Sequence, residues 1–524
     1  MADESNNIDE PLMNKEPGFL FNAAEPVYSP TFRPSNSFKG TAISKVKADS
    51  EVALEDCTDF KIFVRSEIVR QMWLAGPMVI VNVLQYSLQL VSVMFVGHLG
   101  KLELASASVA TSFASVTGFT LLIGMGSALE TLCGQAYGAK QYQLLGVYLQ
   151  RAVYVLYIAS IPILLIWYNM GTILTAVGQD PEISIYAGQY ARWLIPSLFA
   201  YASLQPIVKF LQTQSLVLPM VVCSAITTAV HIITCWILII KLEMGNKGAA
   251  LATSISYWLN VALLILYVKF SVNCKKTWSG FSKEAFSDLK SFFKLAIPSA
   301  VMICLEYWSF EMLVLLSGLL PDPQLEMSAL SICLSITSIS YMIPFGLSAA
   351  ASTRVSNELG AGRPYAARMS VNVCLGIGLL EAFTVSTSLL LLKNKVGWAF
   401  SNDDGVVKYV SRMVPFLSTC ILVDGIQGVL TGVARGCGWQ SVGAFVNLGA
   451  YYIVGIPIAI IAAFFLHLRG EGLYFGILSG LTIQMIFLTI ITFTTNWEKQ
   501  AQNAADRWSK PENDPILRTQ ALDV

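Results

Sequence analysis

Charge is scarce in this chain. Asp, Glu, Lys and Arg make up 13% of its 524 residues, against about 25% in a soluble domain. The 34 basic residues cancel the 34 acidic ones, so nothing in the balance points to a nucleic-acid partner. Histidine is scarcer still: His98, His231 and His467 stand far apart, without metal-ligand spacing, and no metal or cofactor is expected. There is no G-x-S-x-G elbow, no H-E-x-x-H and no Walker A run, so an enzyme is not expected either. The ten cysteines form no C-x-x-C pair and most fall in apolar runs. They read as small buried apolar residues in a reducing setting.

What fills the space is apolar. Hydrophobic residues are 54% of the chain and the mean hydropathy is +0.58. Runs such as LYIASIPILLIWYNMGTIL and GAYYIVGIPIAIIAAFFL recur between short loops, each long enough to cross about 30 Å of hydrocarbon as a helix. Twelve spans are predicted, near 71–96, 105–130, 145–169, 187–210, 217–241, 249–270, 294–318, 327–353, 370–393, 407–432, 441–466 and 473–495. The sixth-to-seventh connection holds six Lys, and Arg354, Arg363 and Arg368 mark the eighth-to-ninth junction. The loops 170–188 and 319–326 hold no Lys or Arg. The positive-inside rule then places both termini in the cytoplasm. FSKEAFSDLKSFFKLA in the central connection suits either an amphipathic surface helix or a plain connector between two bundles. The first 70 residues are polar and mixed in charge without a signal peptide, so the first hydrophobic span is expected to direct insertion.

The chain repeats itself. LAGPMVIVNVLQY at 74–86 resembles LAIPSAVMICLEY at 295–307. Pro77 pairs with Pro298 and Gly97 with Gly318, both at an offset of 221 residues. Gln205 pairs with Gln427, and QAYGA at 135–139 with NELGA at 357–361, at 222. The expected organisation is a tail over 1–60, a six-helix lobe over 61–270, a linker over 271–293, a second lobe over 294–495 and a tail over 496–524. Six is even, so the lobes are parallel copies related by an axis along the membrane normal, with a substrate site between them. Pro77 and Pro298 are candidate hinges, because a proline inside a helix frees a carbonyl and permits a kink.

The copies differ where it matters chemically. Glu306 falls opposite Gln85, and Asp424 opposite Ala202. The shared architecture therefore does not require these acids. A carboxylate at mid-bilayer costs roughly 2.5–3.5 kcal/mol or more. Glu306 lies about 18 Å into its span at 1.5 Å per residue, and Asp424 is near the middle of 407–432. A carboxyl so placed can trade a proton for a cation, so this pair is the candidate proton-coupling site. Glu311 points about 140° away from Glu306 at about 100° per residue and cannot share its pocket wall. It and Glu130 are secondary candidates, Glu130 having the alternative of a solvated charge at a helix end.

Several stretches resemble the multidrug and toxic compound extrusion (MATE) transporters, the plant branch in particular. They are MFVGHLGKLELASAS at 94–108, ETLCGQAYGAKQY at 130–142, CLEYWSFEMLVLLSGLLPDPQLE at 304–326, GLSAAASTRVSNELGAGRP at 346–364 and GVARGCGWQ at 432–440. The resemblance covers roughly residues 60–500. It implies an all-α, V-shaped fold of two six-helix bundles that exports organic, often cationic or phenolic, compounds in exchange for protons. It also implies a transport role for the seventh-helix glutamate, here Glu306, with Tyr307 where Trp is common, and for the tenth-helix acid, here Asp424. Many bacterial relatives use an aspartate in the first helix. The span 71–96 has no acid, so that mechanism does not carry over.

Phe310, Gln427, Asn447 and Tyr451 share helix faces with these acids or are similarly spaced on the eleventh span, and are candidate cavity lining for flat or cationic cargo. The expected partners are a small organic substrate, protons and the bilayer, in a monomer. A sodium-coupled antiporter is the nearer alternative. A lipid-linked oligosaccharide flippase is the other, disfavoured because the intramembrane charges are mostly acidic; Lys209 is read as snorkelling from a helix end. DEPLM at 9–13 resembles a vacuolar sorting signal, and SPTFRPSNSF at 29–38 is a candidate phosphorylation segment. The expected location is the vacuolar membrane or the plasma membrane.

Overall fold

The computed structural model describes residues 42–508, and among them all regular structure is helical. Twelve helices are long and apolar enough to cross a membrane. In chain order they are α1 (Lys61–Gly97), α2 (Lys101–Gly138), α3 (Tyr142–Tyr168), α4 (Pro181–Thr213), α5 (Leu218–Lys241) and α6 (Gly245–Phe270). The second six are α7 (Leu289–Ser317), α8 (Leu325–Gly360), α9 (Pro364–Leu391), α10 (Asp404–Cys437), α11 (Gln440–Phe465) and α12 (Arg469–Thr494). A short α13 (Trp497–Trp508) follows. The sequence segments 9–13 and 29–38, and the tail past residue 508, lie outside the described residues.

The boundaries have local causes. Asp180 caps α4 by accepting the N–H groups of Glu182 and Ile183, with Pro181 at the first helical position. Asp403 caps α10 through the Val406 N–H. Gly438 ends α10 at φ 85°, a conformation that favours glycine. Several helices outrun the predicted spans, and two expectations change as a result. The helix that contains α1 begins at Ala42, so the first helix does carry an acid, Glu67, ahead of the apolar run. Likewise α7 begins at Leu289, inside the expected linker. The remaining connection holds two short 3-10 turns, Val272–Cys274 and Lys283–Phe286, and no surface helix. Pro77 and Pro298 both lie inside continuous helices.

Two apolar cores form. One gathers α1–α6, with Leu122, Leu145, Trp167 and Phe210 among its buried members, and reaches Leu347 and Val433 of the second half. The other joins α7, α8, α10, α11 and α12 through Leu313, Cys333, Leu417 and Tyr474. The two halves meet in a seam at the end that carries residues 139–141 and 361–363. There α2 crosses α8 at backbone distance: a methyl group on Gly138 would overlap the Asn357 carbonyl, and one on Gly360 would overlap the Gln135 backbone. Beside the crossing, Arg354 binds Glu67 at 2.8 Å and Glu358 at 2.7 Å, and Ser370 donates to Glu67 at 2.8 Å. This ties α1, α8 and α9 together. From α13, Arg507 donates to the Gln135 side-chain oxygen at 2.7 Å and to the Cys437 carbonyl at 3.2 Å.

Candidate functional site

Six acids are buried among the described residues: Glu67, Glu130, Glu306, Glu326, Glu358 and Asp424. Three of them are ion-paired, Glu67 and Glu358 with Arg354 and Glu130 with Lys209 and Arg435. Glu326 accepts the Tyr409 hydroxyl at 2.5 Å. Glu306 and Asp424 have no cation within ion-pair distance, and among the described residues no hydrogen bond engages the Asp424 carboxyl. A buried charge is ordinarily paired, so these two stand apart.

Glu306 sits in a shell of three primary amides from three helices. Gln427 of α10 reaches Oε1 at 3.4 Å. Asn447 of α11 and Gln484 of α12 reach Oε2 at 3.5 and 3.4 Å. These donors are long, because each amide is held more tightly elsewhere. Gln427 Nε2 donates to Thr431 Oγ1 at 2.9 Å, Asn447 Nδ2 to the Met302 carbonyl at 2.7 Å and Gln484 Nε2 to Asn447 Oδ1 at 2.8 Å. Tyr451 then donates to Gln484 Oε1 at 2.6 Å. The shell is thus built from bonds that leave the carboxyl loosely held. Asn447 precedes a π-helical stretch, Leu448–Gly455, that contains Tyr451; such wide turns are frequent at functional sites. At 1.5 Å per residue, Glu306 and Asp424 lie about 25 Å and about 20 Å from the seam ends of their helices.

The structure brings Glu306, Gln427 and Asn447 into contact, with Tyr451 one layer behind. Gln427, Asn447 and Tyr451 are fully buried, so they hold the carboxyl rather than line open space. Phe310 packs at the edge of the second core. Glu311 is half-buried and turned toward the first half, where Ser112 of α2 donates to it at 2.9 Å. Trp308 makes a parallel contact to the Val116 carbonyl at 3.0 Å, in the π-helical stretch Ser115–Phe119.

Two readings of the sequence are corrected. Glu130 is no solvated end charge, because α2 continues to Gly138 and Glu130 is fully buried. Nor does Lys209 snorkel. It is buried and lies 2.5 Å from Glu130, while Arg435 binds Glu130 from the other half at 2.9 Å and Ser348 at 2.9 Å. Gln484, Thr431, Arg435 and Glu67 escaped the sequence reading. The signal for Gln484 was present, a lone amide in GLTIQMIFLTI. A cavity of about 560 Å³ opens elsewhere, between Met170–Ala176 and α4, with Arg192 on its wall, and contains none of these acids.

A family model described as MatE matches residues 77–237 and again 298–461, the two matches opening on the paired prolines. Protein DETOXIFICATION 16 of Arabidopsis thaliana is 54% identical over 447 residues, covering 85% of this chain and 92% of its own. DETOXIFICATION 17 of the same plant is 54% identical over 446 residues, covering 85% and 94%. The crystal structure of the eukaryotic MATE transporter AtDTX14 superposes with a TM-score of 0.82 at 49% identity, covering 85% of this chain and 99% of that one. The Vibrio cholerae MATE transporter VcmN superposes with a TM-score of 0.75 at 17% identity, covering 84% and 100%, a likeness of fold alone.

Proposed function

The chain belongs to the MatE family, and on that premise we propose that it exports organic cations or phenolic compounds in exchange for protons, with Glu306 and Asp424 as the coupling site. Family members are transporters, not enzymes, and this chain is a multi-pass membrane efflux transporter. The observation that carries the finer reading is the contrast among buried acids: Glu306 and Asp424 alone lack both a cation and a short hydrogen bond. An unpaired carboxyl in a dry bundle is stable when protonated and, once deprotonated, calls for a cation. The site therefore holds a proton or an organic cation in turn, and exchange by alternating access follows. The seam end carries the Lys- and Arg-rich junctions, which supports a cytoplasmic assignment for it and for both termini. Export is then into the vacuole or out of the cell. Pro77 and Pro298 are the proposed hinges.

Sodium is the second reading, and one observation favours it: Gln427 Oε1 is buried without a partner. Against it, all three amides turn NH₂ groups toward Glu306, and donors suit a carboxyl better than a metal cation. Reconstituted liposomes separate the two. Uptake of a fluorescent organic cation is expected to follow an imposed proton gradient and to be lost in Glu306→Gln and Asp424→Asn. Uptake driven only by sodium would overturn the proton, and uptake unchanged in both variants would overturn the site.

A further inference from the structure

The seam holds a charge imbalance that the coupling site alone does not explain. Glu130 faces two buried cations, Lys209 and Arg435. Among the described residues no other acid lies within ion-pair distance of either. One acid against two cations leaves one positive charge uncompensated in a sealed interface, which is strongly unfavourable. Beyond Glu130, the acid whose charge bears on Arg435 is Glu306 in the coupling site, and Arg435 bears on Glu306 in turn. One face of α10 carries the link: Asp424, Gln427, Thr431 and Arg435 follow at steps of three and four. Gln427 bridges Glu306 and Thr431 along it.

Resting on the coupling reading above, we propose that the Glu306–Asp424 pair, holding one shared proton and a single negative charge, balances the Glu130–Lys209–Arg435 triad, so that an empty site locks the seam and a further proton or an organic cation unlocks it. Two neighbouring buried carboxyls share one proton in preference to both ionising, so the empty site carries one negative charge; either ligand cancels it and leaves the triad one charge in excess, which favours parting of the halves. Only loaded transporters then change sides, as strict exchange requires. The other groups that face the site do not supply the balance. Tyr341 of α8 and Tyr451 of α11 face both acids, and as phenols they are neutral at physiological pH. Gln484 of α12 is neutral. Glu381 of α9 is half-buried with its Oε2 sealed; it acts on Asp424 but, unlike Glu306, is not among the groups acting on Arg435.

The test places spin labels at Gln143 and Tyr365, both exposed at the seam end and on opposite halves, in full-length protein in lipid nanodiscs. With otherwise native residues, the short distance should dominate at pH 8, and the ratio of long to short should rise at least tenfold at pH 5. The double variant Glu306→Gln/Asp424→Asn should be open at both. Adding Lys209→Gln removes the excess charge and should restore the short distance; Lys209→Gln alone should invert the pH response. Arg435→Gln should restore closure in the same way, should the lysine variant not fold. A double variant that still responds to pH overturns the coupling reading and this inference together. A double variant open at both pH values that neither cation substitution recloses overturns the charge balance alone.

Discussion

Each half of the molecule fastens its first, fifth and sixth helices with a buried polar centre, and the two centres differ in tightness. In the first half the centre is His231 of α5, fully buried. Its ring nitrogens lie 2.8 Å from Ser256 of α6, 3.1 Å from Ser92 of α1 and 3.0 Å from the Leu88 carbonyl. In the second half it is Glu306 of α7, with Asn447 of α11 and Gln484 of α12 at 3.4–3.5 Å. Same fold, same helices: one centre is saturated and the other is not. A saturated centre specifies packing. A loosely held carboxyl keeps capacity for a ligand, and it occurs in the half where the repeat departs from itself.

The comparison breaks first at the acids. Glu306→Gln or Asp424→Asn should reduce proton-driven uptake to background, and the melting temperature should move by only a few degrees, as expected for about 1 kcal/mol. Next is the seam. Glu130→Gln leaves Lys209 and Arg435 buried together without an anion, and should cost about 3–5 kcal/mol, read by thermal unfolding. His231→Ala comes third: it strips partners from Ser92, Ser256 and the Leu88 carbonyl and should cost about 1–3 kcal/mol. Transport per folded molecule should change little, and a loss as deep as that of Glu306→Gln would erase the distinction between the halves. The smallest effect is expected at Glu311. It forfeits one hydrogen bond to Ser112, worth about 1 kcal/mol, so Glu311→Gln should slow uptake no more than about fivefold.

Helix number, the repeat and the two unpaired buried acids, Glu306 and Asp424, were legible in the sequence, because each is a statement about one position along one helix or about its copy. The seam was not legible, because it depends on which faces of different helices meet. Arg435 was hidden by a boundary placed at 432, whereas α10 runs to Cys437. Lys209 lies near the end of α4 and so looked free to reach water; the longer α2 continues past it and supplies Glu130. Gln484 is a single polar letter in an apolar run, and only the meeting of α7, α11 and α12 gives it a partner. The amphipathic pattern of the central connection did not produce a surface helix.

Arg507 ties the two halves together from outside the membrane-length helices. It lies 70 residues beyond Cys437, after the last membrane-length helix, yet it fills the Gln135 oxygen on α2. During synthesis, all twelve spans emerge before the residue that closes this contact between α2 and the end of α10. A chain truncated after residue 494 would contain every span and still leave that bond unmade.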